Sequence, residues 1–211
     1  MIHVSMDPQD EPVVLGRGSL RFPVELRPPR GFAPEDPGTW PSVEGRLEFV
    51  GGRLLYMPPC GDTQQAVAPD VIHVLKKWAE AHPEFSVGGN EAGMCLRGEI
   101  RGADAAIWRR GDLPPPSGKY RSVPPVLAVE VAGEDDDEDE TALRSKARWY
   151  FDHGVIVAWL VLPRTREVVV LEPAGKDRRY HSGERLEESP SLPGLVPRVE
   201  DFFADLDLRR S

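Results

Sequence analysis

The spacing of hydrophobic residues changes period along the chain, and each change marks an element. LEFV (47–50) and RLLYM (53–57) are two short strand-like runs around Gly51-Gly52, the pattern of a tight β-hairpin. Val71, Val74, Leu75 and Trp78 then recur at helical intervals, with Pro69 in the first turn and Pro83 beyond the last, which predicts an amphipathic helix over 69–81. FSVGG (85–89), EAGMCLR (91–97) and ADAAIW (103–108) read as extended, and a proline-rich loop follows at 114–116. PVLAVEVA (125–132) is an almost unbroken apolar run, as expected of a strand buried on both faces. Leu143, Ala147, Tyr150 and Phe151 predict a second helix over 141–152, with Gly154 just past its end. VIVAWLVL (155–162) and REVVVLEP (166–173) form a further strand pair, and the tail closes in a short helix whose Phe202 and Phe203 are placed to dock on the core.

The order hairpin, helix, strands, helix, strands predicts a mixed α/β or α+β fold in which one helix crosses between adjacent core strands. Residues 1–41 hold eight of the 22 prolines, which remove hydrogen-bond donors and break helices. An extended arm is expected there, with one strand at Arg21–Leu26. The resulting division is a proline-rich arm (1–43), one folded domain (44–205) and a short tail (206–211), with no internal repeat.

Composition narrows the class. The chain has 211 residues, 40% hydrophobic and 29% charged, and no segment approaches the roughly 18 apolar residues that span a bilayer. Membrane, collagen-like and wholly disordered classes are excluded, and no membrane partner is expected. MIHVSMDPQD lacks the basic stretch and apolar core of a secretory signal, so a cytoplasmic location is expected. Cys60 and Cys95 have no CxxC spacing and read as free thiols.

The net charge of −9 is dominated by EDDDEDE (134–140). Outside that run 28 acids nearly match the 26 bases, leaving −2, so global charge does not exclude a polyanionic substrate. Basic residues are scattered in small groups (Arg97/Arg101/Arg109/Arg110, Lys119/Arg121, Arg144/Lys146/Arg148) rather than gathered in a stripe.

Three acids stand where acids are not expected: Glu48 in the first hairpin strand, Asp104 at the start of ADAAIW, and Glu130 inside PVLAVEVA. Carboxylates projected from neighbouring strands suit a hard divalent cation, which takes oxygen ligands. The alternative for each is a rim carboxylate with a local arginine partner. Glu130 departs furthest from that alternative, because it is flanked by apolar residues and a buried acid is costly without a partner. Lys146, on the helix that follows, is placed either to orient a water and offset phosphate charge or simply to face solvent. Arg144 and Arg148, two positions away, point about 200° from it around the helix.

Other chemistries lack their signatures. The five histidines show no HxxxH or HExxH spacing, and GxSxG, GxxxxGK[ST] and a GxGxxG after a strand are all absent. Cys60 has no histidine placed to activate it, and the acidic run lacks the glycine and alternation of a calcium loop.

LEFVGGRLLYMPP (47–59), TQQ (63–65), GADAAIW (102–108), VPPVLAVEVAGEDD (123–136), RSKARWYFDHGVIVAWLVLPRTREVVVL (144–171) and SPSLPGLVPRVEDFFA (189–204) together resemble the Uma-two family of restriction-endonuclease-like proteins. The resemblance covers about residues 44–205 and lies in the order and spacing of the segments. It implies the PD-(D/E)XK nuclease fold, a mixed central sheet flanked by helices. Asp104 then takes the place of the motif's aspartate, Glu130 that of its second acid, and Glu48 that of the acid in the opening hairpin. Most of the superfamily carries its lysine two residues after the second acid, where this chain has Ala132. In the Uma-two branch the lysine is moved to the next helix, which matches Lys146. Ala103 stands in place of the usual proline, and the serine and proline after the glutamate strand give way to Ala132, Gly133 and the acidic run, whose charge repels a phosphate backbone.

The resemblance implies a metal-dependent endonuclease hydrolysing phosphodiester bonds, with DNA a better fit than RNA. Asp104 and Glu130, with the Val131 carbonyl, would hold Mg²⁺ or Mn²⁺; Glu48 would complete the metal shell or hold a second ion; Lys146 would position the attacking water. Many nucleases of that superfamily pair so that two sites face two strands, so a homodimer is expected, with VIVAWLVL either interior or interface. The rival expectation is a catalytically silent nuclease-fold domain that binds protein or nucleic acid.

Overall fold

The computed structural model describes residues 22–133 and 140–208, so the expectations for residues 1–21 and for 134–139 of the acidic run lie outside the described residues. Two compact units divide the chain. Among the described residues, the smaller comprises 22–60 with Gly93–Gly102 and Pro115–Ser122; the larger comprises Gly61–Ala92, Ala103–Pro114, 123–133 and 140–208.

In the larger unit, β5 (Glu99–Arg109, entering this unit at Ala103) pairs antiparallel with β6 (Leu127–Val131), β6 parallel with β7 (Val157–Leu162), and β7 antiparallel with β8 (Glu167–Leu171). A parallel pair cannot be joined by a tight turn. Helix α2 (Glu140–Asp152) supplies the crossover between β6 and β7, as the element order requires. Its end is set by Gly154 at φ +94°, a conformation that favours glycine.

The pleat sorts the sheet residues onto two faces. Leu127, Val129, Val131, Val157, Trp159 and Val161 pack with Val67, Val71 and Leu75 of α1 (Asp62–Ala79) and with Phe202 and Phe203 of the tail. Ala158, Leu160, Leu162, Val169 and Leu171 face the other way, onto Leu143 and Ala147 of α2. The run 155–162 is thus interior from Val157 onward: β7 is buried along its whole length between β6 and β8. The tail docks as expected, through a 3₁₀ turn (Val199–Phe202) and α3 (Ala204–Leu208).

Two sequence expectations change, and one strand is added. Helix α1 begins at Asp62, seven residues before Pro69, because Thr63, Gln64, Ala66 and Val67 extend its buried stripe backwards. Pro69 is tolerated inside because it lies on the exposed side of the helix, where the N–H it lacks costs least. The two runs 85–89 and 91–97 are one strand, β4 (Phe85–Leu96), with Glu91 inside it at φ +56°. Arg178–His181 forms β9 on β8 although only Tyr180 of RRYH is apolar. Its Arg179 is instead held by both Glu140 oxygens at 2.7 and 2.6 Å and by Glu167.

In the smaller unit the expected hairpin is β2 (Arg46–Val50) and β3 (Arg53–Met57), with Gly51 and Gly52 both at positive φ, +59° and +75°. Strand β1 (Val24–Leu26) pairs with β3, and Phe49 of β2 pairs with Ile100 of β5. From residue 22 the proline-rich segment is packed over part of its length. Phe32 meets Trp40 and Phe49 at centroid distances of 5.4 and 5.3 Å, and Trp40 meets Tyr120 at 5.6 Å.

Phe202 is fully buried and edge-on to Trp159 at 5.8 Å. Phe202→Ala is expected to lower the unfolding free energy by about 3–5 kcal/mol, measured by urea denaturation, since it opens a cavity the surrounding strands cannot close. A loss below about 1 kcal/mol would mean the tail is not part of the core.

Candidate active site

Strand β6 must present apolar residues to α1 and to α2, yet its alternation turns residue 130 toward α2. The β5–β6 register pairs Ala105 with Val129 and Ala106 with Ala128. One further step of the same register sets Asp104 opposite Glu130, so both carboxylates share one face at the end of the strand. Both are buried, at 7% and 4% exposure.

Helix α2 answers this buried acid. Lys146 Nζ donates to Glu130 Oε2 at 2.9 Å, and the Tyr150 hydroxyl donates to Glu130 Oε1. Four residues separate the two donors, which places them on one face of the helix one turn apart. Lys146 is therefore not the solvent-facing lysine of the bland alternative: its side chain is 14% exposed.

Val131 is held at both ends of its peptide groups. Its N–H donates to Asp104 Oδ2 at 2.7 Å, and its carbonyl accepts from Gln64 Nε2 at 2.7 Å. The first turn of α1 thus reaches the end of β6, at the carbonyl that the family resemblance implies as a metal oxygen.

Burial pushes the Glu130 carboxyl up from its ordinary 4.5 to about 7; the Lys146 charge opposes this, the Asp104 charge adds to it, and hydrogen bonds from Tyr150 and Lys146 oppose it. Desolvation outweighs the lysine. A hard divalent cation fits this donor set, two neighbouring carboxylates and a main-chain carbonyl, because it would relieve the repulsion that Asp104 exerts on Glu130. Among the described residues no group of three or more His, Cys, Asp or Glu side chains gathers as a metal cage.

Glu48 belongs to the smaller unit. It is 6% exposed, with Arg101 Nε 3.6 Å from Oε2 and the Gly102 N–H donating to Oε1 at 3.4 Å. Arg144 is engaged by Glu140 at 2.8 Å and by Asp177. Neither Cys60 nor Cys95 is in a disulfide.

The sequence profile of Uma2, described as "Putative restriction endonuclease", matches residues 35–206. The chain belongs to the Uma2 family. No curated protein matches it. A crystal structure from Anabaena variabilis ATCC 29413, described as "a putative nuclease belonging to DUF820", is similar with a TM-score of 0.70 and 14% identity, covering 83% of this chain and 99% of that one. At that identity the likeness establishes a shared fold: the mixed α+β architecture expected for a Uma2 protein. Among the described residues of this Uma2 chain no helix is long and apolar enough to cross a membrane.

Tyr150 and Gln64 were not singled out from sequence, although each left a trace. Tyr150 lies four residues after Lys146, on the same helical face. Gln64 continues the stripe Val67, Val71, Leu75, and so is a polar residue at a buried position.

Glu130 makes stability pH-dependent. Between about pH 4.5 and 7 the unfolded carboxyl ionises while the folded one keeps its proton, so metal-free protein loses stability as pH rises through this window, by on the order of 3 kcal/mol at most. Urea unfolding at pH 5 and pH 8 is expected to show this fall in the wild type and a flatter response in Glu130→Gln. Equal slopes in the two proteins would refute the assignment.

Proposed function

We propose that this Uma2 protein is a divalent-metal-dependent endonuclease that hydrolyses phosphodiester bonds in nucleic acid, with DNA as the polymer. The observation that carries the proposal is the meeting of Asp104, Glu130 and Lys146 at the end of β6. The family description, restriction endonuclease, supports DNA over RNA.

Asp104 and Glu130 would hold Mg²⁺ or Mn²⁺, with the Val131 carbonyl as a third oxygen, its second lone pair being available beside the Gln64 bond. When bound, such an ion supplies Lewis acidity to the scissile phosphate and neutralises part of its charge. Lys146, placed at Glu130 Oε2, would orient the attacking water by donating an ammonium N–H to the water oxygen. Its ammonium also offsets the charge that builds on the phosphate oxygens in the transition state. Asp104 keeps the strand end in place through the Val131 N–H. Glu48, with Arg101, stands outside this assignment.

One observation favours a second reading, a nuclease fold that binds without cleaving. Both Glu130 oxygens already have protein donors, so the cradle is satisfied without a metal.

Calorimetric titration of Mn²⁺, run beside cleavage of plasmid and single-stranded DNA by the same preparations, separates the readings. Asp104→Asn and Glu130→Ala are expected to abolish saturable Mn²⁺ binding and cleavage together. Lys146→Met is expected to keep Mn²⁺ binding while losing about 100-fold or more in rate. Cleavage that survives in Asp104→Asn would overturn the proposal, and an absence of Mn²⁺ binding in the wild type at millimolar metal would establish the binding-only reading.

A further inference from the structure

We propose that Tyr150 is a positioning residue of this site, its hydroxyl holding the Glu130 carboxylate in one orientation for the divalent cation it would bind. The inference rests on the metal-dependent reading above and extends it to a residue outside the Asp104, Glu130, Lys146 set.

A glutamate carboxylate turns easily about its last bond, because that torsion has broad minima. Lys146 alone cannot hold it: an ammonium on a four-carbon stem fixes a distance but not a plane. Tyr150 adds a second hold on the other oxygen. The two donors come from consecutive turns of α2, one to Oε1 and one to Oε2, so the carboxylate is gripped at both ends.

The Tyr150 hydroxyl is a fixed point in a way the lysine is not. Its ring is fully buried, and Trp149 packs edge-on against it at 5.5 Å and 73°. Trp149 is in turn stacked on His153 at 4.1 Å. Packing alone would be served by phenylalanine at this position; a buried hydroxyl is costly unless it has a partner, and here the partner is the proposed metal ligand. Groups that hydrogen-bond a metal ligand commonly change metal affinity or activity 10–100-fold when removed. With a cation at one Glu130 oxygen, the hydroxyl would be the protein contact that keeps the other oxygen in place.

The test is Mn²⁺ titration at one fixed pH into wild type, Tyr150→Phe and Trp149→Phe, with folding of each checked by thermal melting and DNA cleavage followed against Mn²⁺ concentration. Tyr150→Phe keeps the ring and removes one oxygen. It is expected to weaken Mn²⁺ binding about 10-fold or more and to shift the metal dependence of cleavage by the same factor, with the rate at saturating Mn²⁺ within about 3-fold of wild type. Trp149→Phe disturbs the packing but leaves the hydroxyl, and is expected to bind Mn²⁺ within about 2-fold of wild type. Wild-type affinity in Tyr150→Phe, or an equal loss in Trp149→Phe, overturns the positioning role while leaving the nuclease reading intact. A wild type that binds no Mn²⁺ overturns that reading and this inference with it.

Discussion

Everything at this site depends on one awkward placement, a carboxyl in a strand whose every residue is buried. A central strand with α1 on one face and α2 on the other has no solvent side onto which Glu130 could turn. The charge must be met from within, and among the described residues it is α2 that stands over that face of β6. The lysine and the tyrosine are there because the helix that closes the parallel crossover passes over the carboxyl. Topology and chemistry are the same constraint here.

The same strand end is secured from two further directions. Asp104 takes the Val131 N–H from the β5 side, and Gln64 reaches its carbonyl from α1. Neither contact is needed to form the sheet, since β6 already pairs with β5 and β7. Their effect is to immobilise the peptide groups next to Glu130, so that the oxygens in question are presented by a rigid backbone.

The fold was largely legible because its signals are local. Two glycines announced the hairpin, the apolar run announced β6, and Gly154 marked the end of α2. The failures are equally physical. Pro69 read as a helix start because proline is favoured in the first turn, and only the buried stripe through Gln64 shows that the helix had begun earlier. β4 read as two runs because Glu91, left-handed at φ +56°, interrupts the alternation inside it. RRYH did not read as a strand, since only Tyr180 is apolar and Arg179 is held by Glu140, far away in sequence. At the site, Asp104, Glu130 and Lys146 were readable as acids out of place and a lysine on the following helix. Tyr150 was hidden because a tyrosine at a helical core position looks like packing until its hydroxyl is found on Glu130.

The interface beneath α2 is lined with alanine: Ala132 and Ala158 on the sheet side and Ala147 on the helix, joined in one cluster with Leu143. These methyl groups act as spacers, and their small size sets how closely the helix axis approaches the sheet. The reach of Lys146 and Tyr150 to Glu130 is therefore governed by residues that carry none of the site's polar groups. A bulkier side chain at any of the three would lift the helix like a shim, separating donors from carboxylate while every residue of the site stayed in the sequence. A relative can thus keep the full motif and lose the geometry, and the volumes at these three positions reveal that before the motif does.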